Sequence, residues 1–205
     1  TVRNTLSLHD ALPISADLLA NLEGLDGLTS IGGDLMIQYN NNLTSIEGLE
    51  ELNFIGGSLF IQDNDALTSI TGLDGLTFIG GDFEIWSNHS LINLTGLEGV
   101  SSIFGNMSIT GNQSLINLEG LEEVTSILGG VLISSNYSIC SLTGMEGLNS
   151  IGGGLIIGGS DPFGCPNLIN LEGLENLISI GGELIIMNNP VLKSLTGLAG
   201  VTHIE

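Results

Sequence analysis

"LMIQYNNNLTSIEGLEELNFIGGSLFIQDN", residues 35–64, holds one full turn of the pattern that decides the fold. Leu-Met-Ile-Gln at 35–38 returns as Leu-Phe-Ile-Gln at 59–62, and Asn40 returns as Asn64. The interval is 24 residues. A motif of the form Leu/Ile-Glu/Thr-Gly-Leu/Met keeps the same beat in both directions. It starts at Leu22, Ile46, Ile70, Leu94, Leu118 and Leu142, then at Leu171 and Leu195. Only the step from Leu142 to Leu171 is longer, at 29 residues, and the surplus lies in "GGSDPFGCPN", residues 158–167.

With Leu22 as position 1, apolar residues recur at positions 1, 4, 7, 10, 14, 16 and 22. A unit of this size cannot bury its apolar face alone. Units therefore stack and share a continuous core, which predicts a solenoid. Positions 14–17 alternate with period two (Leu35-Met36-Ile37-Gln38), the signature of a short strand. Stacked strands form a parallel sheet with ~4.8 Å between coils. The Gly pair after position 10, as in Gly56-Gly57, suits a tight corner. The spacing of three from position 22 through position 10 predicts turns, bridges or a helical turn.

Position 19 is Asn40, Asn64, Asn88, Asn112, Asn136 and Asn189. A stacked asparagine column can satisfy backbone groups at the strand exit, so these residues are expected to be structural.

Residues 35–46 fit a leucine-rich-repeat core loosely, and residues 47–64 resemble more closely the repeat of the receptor L domain, "L..L.GL..L..I.G.L.I..N". The resemblance extends over roughly residues 18–205. It implies a mainly β, right-handed leucine-rich-repeat or β-helix solenoid of about eight coils. It also implies an extracellular, non-enzymatic setting, and it names no ligand.

Composition narrows the partners. The net charge is −21, and Arg3 and Lys193 are the only Lys or Arg residues. Such a chain is not built to bind nucleic acid or an anionic membrane surface. No apolar run reaches the ~18–20 residues of a membrane span. No Ser/His/Asp or Cys/His constellation can be assembled, "GGGLIIGG" at 152–159 lacks the Gly-Lys-Ser/Thr of a phosphate loop, and no enzyme activity or cofactor is expected.

The first residues, "TVRNTLSLHDALPIS", carry no coil phase. They read as a non-native, scar-like segment over 1–15, with a capping segment as the alternative. Residues 16–205 then form one repeat domain, expected to belong to a longer protein.

Columns of equivalent positions supply the candidate sites. Position 5 stacks Asp26, Glu50, Asp74, Glu98, Glu122, Glu146 and Glu175, either a solvated acidic edge or a calcium-binding row. The outward strand positions 15 and 17 carry Met36, Phe60, Glu84, Trp86, Ile156, Ile185 and Met187 where a solvated face would be polar. This strand face is the best candidate for binding. The inserted loop, with Asp161 and Phe163, lies beside it, because insertions in solenoids map to one edge. Cys140 and Cys165, about one coil apart, are expected to pair as a disulfide that pins the loop.

The functional expectation is a cell-surface recognition or adhesion module that binds protein or glycan through the strand face and loop 158–167. The alternatives are a structural stalk or self-associating filament subunit, and an ice-binding solenoid built on the mixed Thr/Ser column at position 8.

Overall fold

The structure, a computed structural model, describes residues 7–8, 12–15, 18–160 and 164–205. It is a parallel β-solenoid of about eight coils. Each coil contributes a four-residue strand at positions 14–17, from Leu35–Gln38 through Leu184–Met187. Register is exact in sequence terms: Leu35 pairs with Leu59, Ile37 with Ile61, and Ile109 with Ile133. Every strand is parallel to its neighbours, and these seven, with Leu12–Ile14 ahead of them, form one eight-stranded sheet in chain order.

A second sheet was not foreseen. Positions 9 and 10 form two-residue strands, Ser30–Ile31 through His203–Ile204, that stack with Ser7–Leu8 ahead of them into a nine-stranded sheet. The Gly pair turns the chain between the two sheets, as the sequence implied. A two-residue strand is too short to show alternation, so periodicity could not reveal it. The remaining arc is made of turns, with 3-10 helices at Thr71–Leu73 and Thr196–Leu198.

The core is a set of aliphatic columns. Positions 14 and 16 point inward, and Leu35, Ile37, Leu59, Ile61, Ile85, Ile109 and Ile133 have no solvent exposure. Burying each such side chain contributes about 1.5–3 kcal/mol. Positions 15 and 17 point outward, as the burial alternation of Leu35–Gln38 shows.

The chain's first residues join the sheets, and the expectation about the cysteines changes. Within residues 1–15, Ser7–Leu8 pairs with Ser30–Ile31, and Leu12–Ile14 pairs with Leu35–Ile37. Leu12 and Ile14 pack against the core. Ser7–Leu8 and Leu12–Ile14 thus add one strand to each sheet. The expected Cys140–Cys165 disulfide is not formed, and both thiols are free. Cys165 is buried and faces the interior, while Cys140 is exposed at position 23. One coil of separation brought the two close along the axis, but their coil positions aim them in different directions.

Candidate functional site

The asparagine column explains how the strand face is held. Asn64 donates from Nδ2 to Ile37 O (2.9 Å) in the preceding coil and to Gln62 O (3.0 Å) in its own. Its Oδ1 accepts the backbone N–H of Asn40 at 3.1 Å. Asn88 and Asn112 repeat the set, and Asn40, Asn64, Asn88, Asn112 and Asn136 are fully buried. Asn189 keeps the bonds to Ile157 O and Met187 O while being partly exposed. The bonds reach back to the previous coil, and they hold the residue before each Asn in the left-handed region. Tyr39, Asp63, Ser87, Ser135 and Asn188 all have φ between 52 and 59°, at a cost of order 1–2 kcal/mol each.

In the sixth coil Cys165 takes the asparagine's place. Its Sγ faces Ile133 O at 3.9 Å, the partner an Asn would take, and its N–H donates to Asn189 Oδ1 at 3.0 Å. Burial pushes its thiol pKa up, while a bond with the Asn136 backbone pulls it down. The five surplus residues therefore fall between positions 17 and 19. Asp161 and Phe163 lie outside the described residues.

Three rows organise the outward strand face. Along position 13, backbone N–H groups are taken up by side chains of the preceding coil: Ser58 by Asp34 (2.7 Å), Asp82 by Ser58 (2.9 Å), Asn106 by Asp82 (2.7 Å) and Gly130 by Asn106 (2.9 Å). The next members are Gly130 and Gly154, which have no side chain. The row falls away there and leaves a shallow groove of about 290 Å³, lined by Asn106, Met107, Ser108, Leu132 and Ile156 among others. Sequence reasoning missed this groove; the signal was the Gly130/Gly154 step in position 13.

Along positions 15 and 17 runs a polar chain. Gln38 Nε2 donates to Gln62 Oε1 (3.0 Å), and Gln62 Nε2 donates to Glu84 Oε2 (2.9 Å). Burial, then the nearby Asp82, push the Glu84 carboxyl above its ordinary range, against the opposing bond from Gln62. Farther along, Ser108, Thr110 and Ser134 hydroxyls lie 3.4 Å apart in sequence. Trp86 stands beside this chain with 44% of its surface exposed. Met36, Phe60, Ile156 and Ile185 are half-buried, and Met187 is exposed near the far end. The row closes at Ser134 and Gly158, both buried, where Asn188 Nδ2 donates to Gly159 O.

The acidic column has a different explanation from the calcium row considered above. Glu50, Glu98, Glu122, Glu146 and Glu175 each accept the backbone N–H of the glycine two residues earlier at 2.8–3.0 Å, and Asp26 does the same with Gly24. Those glycines have φ of 103–117°. A Cβ on Gly48 or Gly144 would also run into the carbonyl of Leu22 or Leu118 in the preceding coil. Each carboxylate thus braces a turn that only glycine can make. Asp74 makes no such bond, and its coil forms the 3-10 turn Thr71–Leu73 instead. Among the described residues no three His, Cys, Asp or Glu side chains are grouped to hold a metal ion.

The opposite sheet carries a surface that the sequence reading did not single out. Phe54 and Phe78 stack with ring centroids 4.9 Å apart and planes 4° from parallel, and Phe104 tilts against Phe78 at 5.0 Å. Leu128 continues the patch with 52% exposure. The phase of Phe54 and Phe78 was visible in the sequence, but position 9 had not been recognised as a strand.

No helix among the described residues is long and apolar enough to cross a membrane. The fold defines a parallel β-solenoid with a structured outer strand face. The chain matches no protein-family model, no curated protein and no solved structure at a significant level.

Proposed function

We propose that this protein is a recognition module, of receptor L-domain-like type, that binds a protein or glycan partner through its four-residue-strand face. The observation that carries the reading is the exposed Trp86 set beside the Gln38–Gln62–Glu84 chain and leading toward the Ser108–Leu132–Ile156 groove. Indole and amide groups held in a fixed row on a rigid sheet are pre-organised, which lowers the ordering cost of binding. A cell-surface or secreted setting follows from the family resemblance alone, since the free thiols lend it no support.

The test is a protein and glycan array probed with the purified chain and with Trp86→Ala, alongside light scattering over a range of concentrations. The reading expects at least one ligand whose signal falls by tenfold or more in the variant. A blank array with concentration-dependent growth of particles would replace it with the stalk or filament reading.

A further inference from the structure

The strand face has a more specific chemistry than "protein or glycan". Resting on the reading above, we infer that its ligand is an uncharged, extended polysaccharide lying along the solenoid axis across Gln38, Gln62, Trp86 and Thr110.

Charge gives the first argument. The described strand face presents carboxylates, Glu84 with Asp34 and Asp82 along its position-13 edge, and no lysine or arginine, and Lys193 lies at position 23 of its coil, away from the strand. A sulfated or uronate-rich chain would meet a protein of net charge −21 with nothing to neutralise it. Glu84 is itself held in the row by the Gln62 amide, and the neighbouring Asp82 carboxylate adds to the repulsion that an anionic chain would meet.

Hydrogen-bonding capacity gives the second. Gln38 and Gln62 each use one amide proton within the row, which leaves a second N–H on each. Gln38 Oε1 and Glu84 Oε1 are acceptors beyond the bonds within the row, so donors and acceptors both remain for a ligand. Ser108 and Thr110 add hydroxyls that donate or accept. A sugar hydroxyl also does both, so such a mixed row matches it without leaving an orphan. A dry protein hot spot instead needs an aromatic or Arg anchor seated in a desolvated pocket, and this groove is shallow.

Geometry gives the third. The exposed indole offers an apolar plane for the C–H face of a sugar ring, the same amphipathic match that places Trp at wet interfaces. Equivalent side chains recur every coil, at ~4.8 Å, close to the length of one pyranose in an extended chain. The row stops at the buried Ser134, so it spans the four coils from Gln38 to Thr110. Affinity should rise with oligosaccharide length up to about four sugars, one per coil spacing, and then level off.

The experiment is affinity electrophoresis of the full chain in native gels containing hydroxyethylcellulose, xylan, mannan or dextran, with dextran sulfate as the charged counterpart. Retardation by at least one neutral polymer and none by dextran sulfate is expected. Trp86→Ala and Gln62→Leu should each weaken retardation by tenfold or more. Phe104→Ser, on the other sheet, should leave it unchanged, and circular dichroism confirms that each variant is folded. Titration calorimetry with oligosaccharides of increasing length then reads the plateau. Retardation by dextran sulfate alone, or by none of the polymers, overturns the inference. If none retards but a protein ligand binds in a Trp86-dependent way, the recognition reading stands and the polysaccharide falls. If nothing binds through Trp86, both fall.

Discussion

Cys165 Sγ sits 3.9 Å from Ile133 O, while one coil earlier Asn136 Nδ2 sits 2.8 Å from Ile109 O. A thiol thus occupies an asparagine's place and takes over part of its work. Because Cys165 is buried and Cys140 exposed, iodoacetamide should modify one thiol in the native protein and two after unfolding. Mass spectrometry reads the difference, and rapid native labelling of both would contradict the geometry. Cys165→Asn should preserve or raise stability in urea unfolding. Cys165→Ala should lower it by about 1 kcal/mol, because it removes a buried side chain and its weak contact with the Ile133 carbonyl. The raised thiol pKa means that the native state disfavours the thiolate, so this group's contribution is lost as pH climbs above roughly 8.5.

Asn112 tests the ladder itself. It serves Ile85 O (2.9 Å), Thr110 O (3.2 Å) and the Asn88 N–H (3.0 Å). Asn112→Ala should cost about 1–3 kcal/mol, since it leaves the buried Asn88 N–H unpaired while Thr110 O keeps the Ser87 N–H. Asn112→Asp should be worse, because it aims a carboxylate at two carbonyl oxygens. Thermal melts of the two variants against the parent give the ranking, and equal melts would refute it.

Mild acid should stabilise this protein. Burial and neighbouring carboxylates raise the pKa of Asp74, through Glu98 and Glu50, and of Glu84, through Asp82. Asp63 is raised in the same way by burial and Asp65, with His89 opposing. A group with a raised folded pKa binds its proton more tightly when native, so its contribution is present at low pH and lost as pH rises through the folded value. The melting temperature should therefore increase from pH 7 toward about pH 4–5, just above the ordinary carboxylate range. Asp74→Asn should blunt the increase. A melting temperature that falls steadily over that interval would show that other carboxylates dominate.

The turn braces make a separate claim about the acidic column. Glu122→Gln keeps an oxygen for the Gly120 N–H, which Glu122 now holds at 2.9 Å, whereas Glu122→Ala does not. Differential scanning fluorimetry should place the alanine variant about 0.5–1.5 kcal/mol below the parent and the glutamine variant close to it. Moderate NaCl should raise the melting temperature by screening the column. A much larger gain from millimolar CaCl₂ than from NaCl of equal ionic strength would instead restore the calcium reading.

The 24-residue beat made the stacking, the inward columns and the asparagine ladder legible before any coordinates, because each repeats often enough to expose its phase. What stayed hidden lacked repetition. Ser30–Ile31 and its equivalents are too short to alternate. The groove arises where Gly130 and Gly154 omit a side chain, an absence that carries weight only once Asn106 and Asp82 are seen bridging coils. The fate of Cys165 turned on the direction of its side chain, which spacing along the chain does not record. The strand-face residues were found from their outward phase, but the bonds joining Gln38, Gln62 and Glu84 needed the coordinates.

The asparagine bonds all point the same way along the axis. Ile37 O and the Asn40 N–H are completed by Asn64, and Ile61 O and the Asn64 N–H by Asn88. Every coil is thus sealed by its successor. For a chain leaving the ribosome N-terminus first, the newest coil is always the unsealed one, and assembly has a built-in polarity. Each coil waits for the one behind it, and at the growing tip the newest backbone stands open to water or to an unintended partner.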